Sequence, residues 1–457
     1  MRGIARTTAP TPPGPPRRAS LRLLGELARD RLGVMRAAAD RYGDAVRLPM
    51  GPTHLHFFNH PDHAKHVLAD NHANYHKGIG LTHAKRALGD GLLTSEGERW
   101  RAQRRTVQPV FQSRRIAGQA GAVAEEAAAL VARLRSRLGQ GPVDVRQEMT
   151  GLTLGVLGRT LLDADLGPYA TMGGSFETVQ DQAMFEMISL NMVPAWLPIP
   201  HQLRFRRARA DLDRVVASLT GSRGREGLAG RDDALSRLLL SVAAEPDPRV
   251  AERRLRDELV TLLLAGHETT ASTLSWAFHL ISHHPEVEER LRDESTKVLG
   301  SRLPTYEDLR ELTYTSQVVE EVMRLYPPVW ILTRRALAQD DVGGYRVPAG
   351  GQVLVSPYTL HRHPRYWRRP DAFEPDRFGP GAAEDRPRYA YIPFGAGPRF
   401  CVGNHLGMME AVFVIAQLSR ELRLAAVPGH RVRPEAMLSL RVRDGLPMTV
   451  RPARSTS

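Results

Sequence analysis

The chain has 457 residues, enough for one large domain or two or three ordinary ones, and its 42% hydrophobic content can build a sizeable core. A single cysteine excludes an intramolecular disulfide and fits a reducing compartment, and no stretch approaches the roughly 20 apolar residues that a membrane span needs. The formal net charge of +13 is spread along the chain without a helix-turn-helix, zinc or aromatic RNA-reading motif, so it reads as a solvated basic surface that steers an acidic protein partner, not as a nucleic-acid interface.

Met1 to Arg18 is rich in Arg and Pro and has no apolar core, so it is expected to be neither a signal peptide nor an anchor helix. Residues 1–20 are expected to be a flexible lead, extended and poorly packed through Pro10 to Pro16. Residues 21–457 are expected to form a single domain. Leu21 to Tyr42 reads as one helix. Val46 to Leu48 and Leu55 to Phe58 read as paired strands around a Gly51-Pro52 turn. From about Pro61 to Gly300 the pattern is mostly helical, with loops at 72–98, 137–145 and 193–203. The span from Val250 to Ser282 reads as one long helix. Another ends at Tyr326, because Pro327-Pro328 cannot continue it. Short strands and turns fill 329–380. An apolar-periodic helix runs from Leu406 to Leu422, and a strand pair around Met437 to Leu440 and Met448 to Val450 closes the chain. The fold class is mainly α with a smaller β-rich lobe.

The lone cysteine lies in Phe394-Gly-Ala-Gly-Pro-Arg-Phe-Cys-Val-Gly403. An arbitrary single cysteine is most often a buried small hydrophobe. Here Gly395, Gly397, Gly403 and Pro398 bend the backbone tightly and open it to a flat ligand. Arg399 precedes the sulfur by two residues and a helix follows, and both favour thiolate over thiol. A thiolate on a rigid loop beside an arginine is a metal-ligand arrangement, and haem iron is one metal that accepts a single protein thiolate.

Phe394, Gly395, Gly397, Arg399, Cys401 and Gly403 match every fixed position of the haem-thiolate loop of the cytochromes P450. Six specified residues recur by chance at roughly 10⁻⁸ per start position. The chain resembles that family over roughly residues 20–455. Gly407 stands where the family usually has alanine. The resemblance implies haem b, with Cys401 as the axial iron ligand.

Ala265-Gly-His-Glu-Thr-Thr270 lies within the long helix. Gly266 is a poor helix former, and Thr269 can bond back to a carbonyl three or four residues earlier, so the two could loosen the ladder and leave a small pocket. The segment resembles the family's oxygen-activating motif. That implies Thr269 as the hydroxyl ordering dioxygen and its water, and Glu268 as the acid of a proton relay. His267 takes the variable place and reads as a packing or network residue. Glu321 and Arg324, three apart, share a helix face and resemble the family's E-x-x-R motif. The usual third member is present as Arg377 in Phe373-Glu-Pro-Asp-Arg-Phe378. These three are assigned to holding structure, not to chemistry.

Haem carries two propionates, so cations must meet them. Arg399 is next to the ligand. Trp100 and Arg104 share one face of a helix and match the family's W-x-x-x-R pattern. Arg335 matches the propionate-binding arginine after the E-x-x-R helix, with Arg334 the adjacent alternative. No flavin- or NADPH-binding stretch and no Walker A loop is evident.

The resemblance therefore implies a cytoplasmic, stand-alone bacterial type of monooxygenase. It would be monomeric, and served by a ferredoxin and a ferredoxin reductase. It would insert one atom of dioxygen into a lipophilic terpenoid, fatty acid or polyketide. Family analogy places substrate contacts in the 72–98 loop, around Phe185 to Trp196, at Val329 to Thr333 and at Met437-Leu438. The competing readings are a haem-thiolate peroxygenase or isomerase, and a non-catalytic haem or nucleic-acid binder.

Overall fold

A computed structural model describes residues 9–51, 53–167, 173–189, 192–228, 230–382 and 384–453. The first eight residues of the lead, and Pro52 of the expected turn, lie outside the described residues. The chain divides into two compact units. The first comprises Met1–His83, Val329–Ala372 and Glu384–Cys401. The second comprises Ala84–Pro328, Phe373–Ala383 and Val402–Ser457.

The first unit is built on a five-stranded sheet. Its strands lie in the order Ala45–Met50, Thr53–Phe58, Gln352–Val355, Leu332–Ala336, Tyr75–Lys77. All neighbours are antiparallel except Thr53–Phe58 with Gln352–Val355. Successive side chains in a strand point to opposite faces, and the two faces bury different clusters. Ala45, Phe58, Tyr75, Ala336, Val353 and Val355 share a core with Val67, Leu68, Ile392 and Ala396. Val46, Leu48, Leu55, Phe57 and Leu354 share another with Leu23, Met35 and Ala38 of the N-terminal helices.

The expected helix Leu21–Tyr42 is two helices, Ser20–Arg29 and Arg31–Tyr42. Asp30 leaves the helical region (φ −146°, ψ 85°), and its carboxylate accepts the Gly33 N–H at 2.9 Å. That N-cap bond rewards a break that hydrophobic spacing alone does not show. Against the expectation of a poorly packed lead, residues 10–13 are tied to strands. The Pro13 carbonyl accepts the Arg47 N–H at 2.7 Å, and the Pro10 carbonyl accepts that of Arg346 at 2.9 Å. Pro12 is buried.

The second unit is helical around one long helix, Pro248–Ile281, whose 34 residues span about 50 Å. Asp247 caps it, accepting the Arg249 N–H at 2.9 Å, and Pro248 takes the first helical position, where no N–H is needed. The helix is continuous through Gly266, so the expected loosening there is not seen. A Cβ at 266 would stand 2.6 Å from Leu157 Cδ1, so this glycine serves close packing against helix Val145–Leu157. Helix Thr313–Leu325 stops at Tyr326, as the two prolines after it require. Tyr326 stacks on Trp276 of the long helix, with ring centroids 3.8 Å apart and planes 2° from parallel.

The helix after the cysteine loop spans Asn404–Glu421. The chain-closing strands correct the sequence expectation. Pro447–Pro452 pairs with Leu422–Ala426 and with Val143–Asp144, not with the stretch around Met437. That stretch turns within its own hairpin, Pro434–Ala436 with Leu440–Val442. Leu422 and Leu424 are buried at alternate positions, a strand pattern hidden in the sequence by direct continuation from a helix. Among the described residues no helix is long and apolar enough to cross a membrane.

Candidate functional site

Cys401, Arg399 and Arg335 belong to the first unit; Trp100, Arg104, Glu268 and Thr269 belong to the second. Gly395 and Gly397 adopt φ of 74° and 67°, the left-handed region that a side chain resists. A Cβ at Gly397 would fall 1.9 Å from the Leu68 carbonyl oxygen, so the turn is seated directly on backbone. Gly397–Arg399 forms a 3₁₀ turn, and the Cys401 N–H donates to the Phe394 carbonyl at 3.0 Å. This bond closes the loop and fixes where the cysteine leaves it. The Cys401 side chain is exposed, which excludes the buried-hydrophobe reading.

The sheet decides between the neighbouring arginines. Leu332, Arg334 and Ala336 face one way, and Thr333 and Arg335 the other. Ala336 buries itself with Ile392 and Ala396, in the segment leading to Cys401. Arg335 stands opposite Gln352, on the face of Leu354 and the N-terminal helices. Arg334, 7% exposed, is therefore the arginine on the cysteine-loop face. Lys77, 6% exposed, stands directly opposite it on the neighbouring strand. Sequence reading missed Lys77, since only the strand register joins it to Arg334.

Trp100 and Arg104 are half-buried on helix Gly97–Val107, with the guanidinium carbon 5.7 Å from the indole centroid. Arg101 and Arg105 lie exposed on the same helix.

On the long helix, Glu268 accepts a hydrogen bond from the Ser439 hydroxyl at 2.7 Å. Four residues on, the Ser272 hydroxyl donates to the Leu440 carbonyl at 2.6 Å; four further, the Trp276 indole donates to the same oxygen at 2.9 Å. One stripe of the helix thus grips the hairpin containing Met437-Leu438, and its first grip is on the acid. Sequence reading missed Ser439, because nothing local connects it to Glu268. The Thr269 hydroxyl donates to the Ala265 carbonyl at 3.0 Å, the back-bond expected of it. His267 is fully buried, its ring 4.6 Å from that of Phe176 and its Nε2 3.9 Å from Glu268 Oε2. Burial holds its imidazole below the ordinary value, so it is neutral at neutral pH. It is a packing residue, as expected.

Of the other expected contact segments, Phe185 packs its ring 4.6 Å from His201, whereas Met192 and Trp196 are exposed. Residues 190–191 lie outside the described residues.

Glu321 and Arg324 are both fully buried. Arg324 donates through Nε and Nη2 to the two carboxylate oxygens at 2.6 and 2.8 Å. Arg377 Nε reaches Oε1 at 3.3 Å, and the Glu374 N–H reaches the same oxygen at 2.9 Å. The expected trio is assembled, with one backbone donor added.

The cytochrome P450 family model matches residues 12–448. The chain belongs to the cytochrome P450 family. It is 36% identical over 406 residues to the cyclooctatin synthase of Streptomyces melanosporofaciens, covering 88% of each chain. It is 35% identical to the cyclooctat-9-en-7-ol 5-monooxygenase of the same organism, over 86% of this chain and 85% of that one. It is 32% identical to the pentalenene oxygenase of Streptomyces avermitilis, over 87% and 88%. This P450 is accordingly a haem-iron monooxygenase, an oxidoreductase that takes dioxygen, a lipophilic substrate and electrons from redox partners.

The residues fit that cofactor. An exposed cysteine on a loop closed by its own backbone bond offers a sulfur that would bind haem iron. Buried and half-buried cations suit a macrocycle that carries carboxylates.

Removing the Glu321 carboxylate leaves two guanidiniums buried without their common acceptor. Glu321→Ala is expected to lose about 3–5 kcal/mol of stability. Urea denaturation of the haem-loaded protein measures this; a change under 1 kcal/mol would mean that the trio is structurally dispensable.

Proposed function

We propose that this P450 hydroxylates a polycyclic terpenoid, with haem b bound through Cys401 and electrons brought by a ferredoxin and its reductase. The observation that carries the hydroxylase reading is the Glu268-Thr269 pair on the long helix, its acid held by Ser439 next to Met437-Leu438. The names of relatives that act on cyclooctat-9-en-7-ol and pentalenene support the terpenoid class. The same acid–alcohol pair argues against a peroxygenase or isomerase, which has no need of timed proton delivery. Residues 21–457 act as one catalytic domain in this reading, since the family match crosses both units. A cytoplasmic setting suits a single cysteine that must stay reduced.

Bound haem supplies the reductive chemistry, in which substrate R–H, dioxygen, two electrons and two protons give R–OH and water. The chain's own groups govern position and protons. Arg399, Trp100 and Arg104 are the groups that would meet the carboxylates of bound haem, with Arg334 in place of Arg335 and Lys77 opposite it in the strand register. Ser439 occupies Glu268 Oε1, leaving Oε2 to carry and release the proton. Because Thr269 spends its hydrogen on Ala265, its oxygen lone pairs remain to accept from a water. Met437 and Leu438, half-buried in the turn before Ser439, would offer apolar contact to a lipophilic substrate.

Thiolate ligation is tested on the reduced protein under carbon monoxide. The red-shifted Soret band of a thiolate ligand is expected, and Cys401→Ala should lose it. A wild-type spectrum of the histidine-ligated kind would refute the assignment. The substrate class is tested by titrating cyclic terpenes and looking for a substrate-induced spin-state shift coupled to hydroxylated product.

Thr269→Ala is expected to keep haem, the substrate-induced shift and oxygen uptake. Product per electron should fall and hydrogen peroxide rise, while Thr269→Ser restores coupling. Full coupling in Thr269→Ala would remove the threonine from proton delivery.

The ferredoxin is expected to dock where Arg101, Arg105 and His405 are exposed. Arg99 and Arg101 already pair with Asp90 and Glu98, whereas Arg105 makes no ion pair among the described residues. Electron transfer should slow as salt rises, and reversing Arg101 and Arg105 to Glu should slow it at low salt while sparing substrate binding. Reduction rates unchanged across ionic strength would contradict this docking site.

A further inference from the structure

A cavity of about 480 Å³ opens in the first unit, lined by no residue of the haem loop, the W-x-x-x-R helix or the acid–alcohol motif. Its walls come from three places: the lead at Thr11, the hairpin at Arg47, His54 and His56, and the segment from Arg346 through the turn at 348–352. No lining residue is acidic. Arg47 and His56 stand directly opposite each other across the ladder, so both project from one face. The nearest acid in register is Asp341, opposite Arg346. Its carboxylate accepts the Gly344 N–H at 2.8 Å and does not line the cavity.

Two observations give the cavity a direction. Arg47 Nε and Arg346 Nε are both buried, and among the described residues neither has a hydrogen-bond partner. Those atoms are closed to a ligand, but both arginines line the cavity and no carboxylate does, so their guanidinium charge is left for acceptor oxygens of a ligand to meet. The imidazoles also sense a positive field. His54 is held below its ordinary value by burial and then by Arg47 and Arg17; His56 is lowered mainly by burial.

We infer that this cavity is a binding site for the phosphoryl group of a small soluble molecule, held between Arg47 and Arg346. Guanidinium forks match phosphate oxygens two at a time, and two guanidiniums from separate strands suit a doubly charged group better than a single carboxylate. The volume lies within the range of small-molecule pockets, so the phosphate ester can carry a further moiety along the turn at 348–352. Thr11 places the lead at the rim, so occupancy should also tighten residues 10–13 against their strands.

The test is isothermal titration of the haem-loaded protein with inorganic pyrophosphate, at ionic strength held constant with sodium chloride. One saturable site is expected. Arg47→Ala and Arg346→Ala should each weaken binding about tenfold or more, and Arg47→Lys should recover part of the loss. Arg204→Ala, at an exposed arginine of helix Pro200–Glu226, should change nothing. The carbon monoxide spectrum of each variant checks that the haem fold is intact; should Arg47→Ala fail that check, Arg346→Ala decides. Absence of saturable binding overturns the inference. So does binding that survives both substitutions, or that Arg204→Ala weakens equally, because the basic surface alone would then explain it.

Discussion

A carboxylate with no access to water must be neutralised where it stands, and Glu321 sets that condition for much of the second unit. Arg324 meets it from the same helix, but two donors on one helix leave lone pairs unmet. Arg377 and the Glu374 N–H supply the rest from a distant stretch of chain. That stretch, Phe373–Ala383, interrupts sequence otherwise belonging to the first unit. Two further contacts hold it. Arg290 grips Asp376 through both carboxylate oxygens at 2.8 and 2.9 Å, and His284 meets the Phe373 ring edge-on at 5.0 Å. The Arg290–Asp376 pair is exposed and weak alone. The buried acid is what makes the excursion worth its lost chain entropy.

The long helix works by a similar economy of spacing. Residues four apart lie on one face, so Glu268, Ser272 and Trp276 form a row that grips a single hairpin. The acid is consequently positioned by the same row that fixes the hairpin, so Glu268 and the turn carrying Met437-Leu438 share one frame. His267 and Gly266, between and beside them, serve packing instead. One fills space against Phe176, and the other admits Leu157. A motif of six residues thus divides into groups that hold polar contacts and groups that let neighbouring helices approach.

What could be read from sequence was what is local. The cysteine loop, the acid–alcohol pair and the Glu321 trio are short patterns whose residues meet through one turn or one helix face, or through a motif partner of fixed type. The helix end before Pro327 was equally legible, and the long helix, expected from Val250, starts two residues earlier at Pro248. Non-local pairing was not. The pleat that turns Arg334 toward the cysteine-loop face and Arg335 away depends on register, and one residue of slip reverses it. Ser439 lies 171 positions from the acid it holds. The strand Leu422–Ala426 was hidden behind a helix that runs straight into it, so its partner Pro447–Pro452 was matched to the wrong stretch. The break at Asp30 was overlooked because periodicity continued across it.

The proline-rich lead bears on how the sheet behaves toward other molecules. Ala45–Met50 is an edge strand, and an uncovered edge invites another chain to add to it. Pro13 lies along that edge and accepts the Arg47 N–H, while Pro10 does the same for Arg346. Five of the seven residues from Pro10 to Pro16 are prolines, which have no N–H to offer onward. Only Thr11 and Gly14 keep an N–H there, so the segment takes a hydrogen bond from the sheet and has few to pass outward. Strand addition at that edge is thereby disfavoured by a segment that looks, in sequence, like a loose lead.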